Sequence, residues 1–198
     1  MSALDFYFEY GSTYTYLTVA RIRALAKSHG VTVLWKPFLL MPLLIEQGMN
    51  QGPFLPYPHK IDYMWRDLAR RAAEHGIPYS KPSLYPPHET LTSARLGVLG
   101  AREGWCEQFT EKVFALHWTE NRLIGTEDNI YAALESIGQA PANAIERARS
   151  LENKEALKSQ TDEARRLGLF GSPSFVAAGE LFWGDDRLEQ AVAWAKLH

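Results

Sequence analysis

Ser12 is the residue best placed for chemistry in this chain. It follows Gly11, where a strand-like aromatic run, residues 4–10, gives way to a helix-like segment. A hydroxyl at such a junction stands among the unpaired N–H groups of a helix's first turn and at the positive end of its dipole. Those surroundings stabilise an anion, either a phosphate or a thiolate. The plain alternative is that Ser12 only caps the helix, as serine often does. Near the other end of the chain, GLFGSPSF puts Ser172 and Pro173 immediately before another strand. These two ends carry the reading, and the middle modulates it.

The elements that must position these residues follow from periodicity. Residues 4–10 alternate, with Phe6, Phe8 and Tyr10 on one face and Tyr7 and Glu9 on the other, as a strand requires. Over 14–28, Tyr16, Val19, Ile22 and Ala26 recur at helical spacing, and Gly30 suits a C-terminal cap. Residues 31–36 form a β-branched second strand, so the chain opens with a parallel βαβ unit of right-handed crossover. Pro37 and Pro42 bracket the segment after that strand, and 47–58 is an irregular loop rich in Gly and Pro. Helices are predicted over 60–75, 90–100, 106–120, 128–137, 142–150 and 153–168. Strand signal is nearly absent from 43 to 168. A hairpin over 174–178 and 180–183, turning at Gly179, then leads to a closing helix at 187–197.

A β-α-β start and a β-β-α end, split by helices, make a thioredoxin topology. The predicted fold class is α/β, with 1–40 and 169–198 as a thioredoxin-like domain and 41–168 as a helical insertion. In dithiol redox proteins of that topology the first helix begins with Cys-x-x-Cys. Here the tetrad is Ser12-Thr13-Tyr14-Thr15, so both cysteine positions hold hydroxyls and the chain cannot itself exchange disulfides. A hydroxyl can still donate to a thiolate brought by a ligand. A charge-assisted bond contributes about 1.5–3 kcal/mol and the helix terminus about 0.3–1 kcal/mol. Together they lower a thiol pKa by roughly one to three units. In such folds a cis-proline faces the tetrad, and the residue before it pairs with a peptide ligand as an added strand; Pro173 and Ser172 hold those places.

The motifs resemble those of the kappa-class glutathione transferases and the bacterial 2-hydroxychromene-2-carboxylate isomerases, in the DsbA-like branch of the thioredoxin fold. The resemblance covers almost the whole chain. It rests on Asp5-Phe6-Tyr7-Phe8-Glu9 with Ser12 to Leu17, on Phe170-Gly171-Ser172-Pro173, and most specifically on Trp183-Gly184-Asp185-Asp186-Arg187-Leu188. It implies glutathione as cofactor, with Ser12 holding its sulfur and the backbone of Ser172, beside Pro173, binding the cysteinyl portion. Asp185 and Asp186 take the place used for the glutamyl ammonium, and Asn50 and Lys60 match an Asn and a Lys that contact glutathione. Lys60 would pair with the glycyl carboxylate. Tyr85 corresponds to a tyrosine near the substrate.

Two departures stand out. Thr13 replaces a proline after the catalytic serine. Leu43 or Leu44 replaces a lysine that lines the aromatic-acid pocket, which leaves Lys36, His59 or Lys60 as counter-charge to an anionic substrate. Met41, Leu43, Phe54, Tyr57, Trp65 and Tyr85 are candidate pocket walls. The implied activity is glutathione-dependent cis–trans isomerisation of a hydroxychromene carboxylate or hydroxybenzylidenepyruvate-type acid by a homodimer. The alternatives are a conjugating transferase and a non-catalytic thioredoxin-like module that binds along the Pro173 edge.

Composition narrows the classes further. A net charge of −2 over 198 residues gives no reason to expect nucleic acid, and no apolar stretch is long enough to span a membrane. The N-terminus lacks a basic region and runs straight into a strand, unlike a signal peptide. The single cysteine, Cys106, reads as a small buried apolar residue, and a reducing cytoplasmic setting is expected. The histidines His29, His59, His75, His88, His117 and His198 show no metal-ligand spacing, and no metal is expected.

Overall fold

The structure, a computed structural model, describes residues 2–87 and 89–198. His88, placed by the sequence in helical surroundings, lies outside them. Strand β1 (Ala3–Phe8), helix α1 (Thr13–His29) and strand β2 (Thr32–Pro37) form the opening unit. β1 pairs with β2 in parallel, Phe6 opposite Trp35. β3 (Ser174–Ala177) and β4 (Glu180–Trp183) complete a four-stranded sheet in the order β2-β1-β3-β4. β3 runs antiparallel to both neighbours, with Phe6 opposite Phe175. Between β2 and β3 the described residues are helical or irregular, as the missing strand signal predicts.

Side-chain alternation gives the sheet two faces. On one, Phe6, Phe8 and Phe175 are fully buried, with Phe6 stacked at 4.9 Å on Phe8 and 5.5 Å on Phe175. α1 and the final helix α9 (Leu188–Leu197) cover this face. On the other, Tyr7, Phe38 and Val176 form a smaller cluster with Leu43, Ala164 and Leu169. Gly30 ends α1 in the left-handed region at φ 70°, where its N–H reaches the carbonyls of Ala26 and Lys27.

The helical block comprises α3 (Pro58–Glu74), α4 (Leu91–Glu103), α5 (Cys106–Glu120), α6 (Glu127–Ser136), α7 (Pro141–Ala148) and α8 (Leu151–Arg166). Its hub is Trp118, stacked on Tyr16 at 5.1 Å and on Tyr79 at 5.7 Å, which joins α5 to α1. One helix is not legible in the sequence. α2 (Leu40–Glu46) contains Pro42, which reads there as a boundary; a proline in the first turn forfeits an N–H that has no helical partner anyway. Leu43, a candidate pocket wall, is instead core, packed with Tyr7 and Phe38. Cys106 is buried, and burial pushes its thiol up to about 12, so it stays unreactive.

Candidate active site

Ser12 occupies the N-cap position of α1 but makes no capping bond. Its hydroxyl instead crosses 160 residues of sequence and donates to the carbonyl oxygen of Ser172 at 2.8 Å. The Ser172–Pro173 peptide is cis. The Ser172 hydroxyl accepts the Glu9 N–H at 2.9 Å and lies 3.0 Å from the Thr15 hydroxyl. The loop is fixed behind as well. The Gly184 N–H donates to the Pro173 carbonyl at 2.9 Å, and the Trp183 ring lies so close over Gly171 that a Cβ there would sit 2.1 Å from the indole nitrogen. Ser12 and Ser172 thus present a hydroxyl and a peptide group side by side at the end of β1.

The structure separates the two aspartates that open the C-terminal helical segment. Asp186 is exposed, its carboxylate paired at the surface with the neighbouring Arg187 at 3.0 Å. Asp185 is not: it is 2% exposed and already saturated. Arg21 donates to its Oδ1 at 2.7 Å, Arg71 to its Oδ2 at 2.6 and 3.1 Å, and Thr18 to Oδ1 at 3.1 Å. Asp185 is therefore corrected from a ligand contact to the residue that pins α3 and α1 to the 3-10 turn Asp185–Arg187. Asn50 and Lys60, ten residues apart in the sequence, line one groove of about 680 Å³ with Gly48, Gln51 and Tyr57. Lys60 donates to the Pro53 carbonyl at 3.2 Å and lies over the Phe54 ring. One turn along α3, the Met64 sulfur accepts from the Thr13 hydroxyl at 3.3 Å, which ties this helix to the Ser12 turn.

Of the substrate counter-charges, Lys36 is excluded. It shares its sheet face with Tyr7, away from α1, and its ammonium is spent on Glu163 at 3.1 Å, Asp5 at 3.4 Å and the Tyr7 hydroxyl at 3.3 Å. His59 lies exposed on the first turn of α3, making no side-chain contact that would hold it toward Ser12 among the described residues. Tyr85 is half-buried, edge-on to Trp65 at 5.2 Å; burial first, then the nearby Glu9 charge, raises its hydroxyl to about 12.

A family model for the DSBA-like thioredoxin domain matches residues 3–193. The chain belongs to the DSBA-like thioredoxin family. Within it, the chain is 29% identical over 189 residues to a 2-hydroxychromene-2-carboxylate isomerase of Pseudomonas putida, covering 93% of this chain and 90% of that protein. It is 24% identical to glutathione S-transferase kappa 1 of Rattus norvegicus, covering 94% and 87%. Among solved structures, a 2-hydroxychromene-2-carboxylate isomerase superposes with a TM-score of 0.85 at 27% identity, covering 96% of this chain and 93% of that one. The two groups that the motifs resemble are thus both among its relatives.

In this DSBA-like domain three site residues escape sequence reasoning: Glu9, Arg21 and Arg71. Glu9 joins the Ser12 turn to the helical block, its carboxylate accepting the Gly11 N–H at 2.7 Å and the Thr90 hydroxyl at 2.8 Å. Burial raises its pKa, a rise that the bonds from Thr90 and Gly11 oppose. Arg21 and Arg71 carry no local signal in the sequence: they come together on Asp185, which also accepts from the buried Thr18 hydroxyl. No group of three or more His, Cys, Asp or Glu among the described residues is arranged to hold a metal, and no helix among them is long and apolar enough to cross a membrane.

Proposed function

We propose that this protein is a glutathione-dependent cis–trans isomerase of an aromatic hydroxychromene carboxylate or hydroxybenzylidenepyruvate-type acid. The observation that carries the reading is the Ser12 hydroxyl, which leaves its helix uncapped to lie against the Ser172 carbonyl. The same residues fit a thiol tripeptide. Ser12 supplies a donor to sulfur, the Ser172 peptide an edge for a backbone, Asp186 a carboxylate for an ammonium, and Lys60 with Asn50 a cationic, amide-bearing groove for a terminal carboxylate. Relatives named isomerase and one named glutathione transferase, aligned over nearly the whole chain, support the same choice of chemistry.

The chemistry glutathione supplies when bound is reversible thiolate addition to a conjugated double bond, which leaves a single bond free to rotate. The chain's part is to hold and to exclude. Ser12 turns its O–H from the Ser172 carbonyl to the sulfur and favours the ionised form. The freed carbonyl accepts a backbone N–H of the ligand. Asp185, clamped by Arg21 and Arg71, fixes the turn that presents Asp186. Trp65 and Tyr85 give the helical block an aromatic wall. Because Lys36 is committed elsewhere, the substrate carboxylate meets another cation than the one that β2 offers.

The kappa relative favours one second reading, a conjugating transferase acting through the same site. Following glutathione during turnover separates the two: an isomerase leaves its concentration unchanged, a transferase consumes it one for one with substrate. The primary test is titration of the bound thiol by its ultraviolet thiolate absorbance in wild type and Ser12→Ala. Loss of Ser12 should raise the thiol pKa by roughly one to two units, from the strength of a charged hydrogen bond. Superimposable curves, or no glutathione binding at all, refute the reading. A cytoplasmic homodimer belongs to the same proposal, and light scattering on the purified chain checks the assembly.

A further inference from the structure

A second concave site lies away from Ser12, in the angle between α2, α4 and α8. It encloses about 240 Å³. Leu39, Pro42, Leu91 and Leu157 provide apolar walls, and Arg95, Lys154, Lys158 and Arg165 bring four cations against the single carboxylate of Asp162. That concentration of positive charge is not inherited from the composition, since the chain carries −2 overall.

Existing ion pairs sort the four cations. Lys158 and Arg165 share Asp162, and Arg165 also holds Glu46 at 2.9 Å. Arg95, partly buried, and Lys154, exposed, form no ion pair among the described residues. The Arg95 Nε is buried and has no hydrogen-bond partner.

We infer that this groove is a binding site for a small aromatic carboxylate. The ring lies against Leu39, Leu91 and Leu157, and the carboxylate bridges the planar fork of Arg95 and the ammonium of Lys154. Each half of the ligand follows from one half of the site. A bare phosphate leaves the leucine walls in water, and a neutral ring leaves the Arg95 and Lys154 charges without a counter-charge. The volume lies below that of sites for drug-sized molecules, which limits the occupant to one or two rings. Ser12, Ser172 and Asp186 take no part in the lining, so the site stands apart from the proposed glutathione site.

Calorimetric titration of the whole protein with 2-naphthoate tests this, with inorganic phosphate and 2-naphthalenemethanol as the charge-only and ring-only probes. Naphthoate should bind and both controls should bind at least about tenfold more weakly. Lys154→Gln, a surface change that leaves the core alone, should weaken naphthoate about tenfold, and Arg95→Gln at least as much. If Arg95→Gln fails to fold, Lys154→Gln decides. Saturating glutathione should leave the naphthoate affinity unchanged. Equal binding of either control, indifference to Lys154→Gln, or displacement by glutathione overturns the assignment.

Discussion

Asp185→Ala isolates the ion cluster behind the proposed ligand site. The Asp185 side chain is 1% exposed, while those of Arg21 and Arg71 are 12% and 22% exposed. Truncation leaves two guanidiniums facing one another in a nearly dry space, with a Thr18 hydroxyl also stripped of its acceptor. Breaking a buried pair from one side costs about 3–5 kcal/mol. The Arg21–Glu189 contact, exposed on its acidic side, offsets little of this. With a urea m-value of about 2 kcal/mol/M, the unfolding midpoint should fall by about 2 M. The triple variant Arg21→Met, Asp185→Leu, Arg71→Met should recover most of that loss, because apolar groups of similar volume need no counter-ion. Equilibrium unfolding followed by circular dichroism reads both. A midpoint shift under about 0.5 M in Asp185→Ala refutes the reasoning, since it would mean that water reaches the arginines as soon as the carboxylate is gone.

The remaining predictions concern pH and close packing. Glu9, its pKa raised by burial, favours folding while protonated and loses that contribution as pH rises through the folded value. Glu9→Gln should therefore melt higher than wild type at pH 7.5, the gap closing at about pH 4, where the unfolded carboxyl also protonates; a gap independent of pH refutes this. His117, buried beside Trp118 and accepting the Ile124 N–H, is lowered by burial to about 4. The unfolded imidazole takes its proton near 6.5, so about 3 kcal/mol of stability should drain away between pH 6.5 and 4, and His117→Asn should flatten that fall in denaturant titrations. Gly171→Ala puts a methyl group 2.1 Å from the Trp183 indole nitrogen. It should cost about 1–3 kcal/mol and weaken glutathione binding, measured by calorimetry, by displacing the Ser172 loop.

How much the sequence discloses depends on the range of the interaction. The aromatic alternation of β1, the Gly11-Ser12 junction and the Gly-turned hairpin are local, and periodicity and turn chemistry place them directly. The FGSP run marks its loop because a proline ahead of a strand has few uses. The partner of the Ser12 hydroxyl is different in kind. Nothing in the neighbouring sequence tells whether it caps α1 or reaches Ser172, since the choice is made by a sheet pairing formed with the far end of the chain. Asp185 and Asp186 are alike in type and adjacent in sequence. Only the arrival of Arg21 and Arg71 from separate helices makes one a buried strut and the other a surface carboxylate. Lys36 similarly looks like an available cation until Glu163, on α8, claims it. α2 is hidden because a proline reads as a breaker wherever its position in the turn is unknown.

The order of strands bears on how the chain is made. β1 sits in the interior of the finished sheet, flanked by β2 and β3, yet β3 is synthesised more than 160 residues after it. Throughout that interval β1 presents an open edge rich in aromatic residues, the kind of edge that pairs with other chains. Synthesis at about 5–20 residues per second keeps it open for roughly ten to thirty seconds. The intervening helices, whose contacts are mostly local, can form in that time and shelter one end of the strand through Thr90 and Glu9. A chain stopped short of residue 174 would lack the strand that closes that edge, so truncation products of this protein should aggregate rather than persist as soluble fragments.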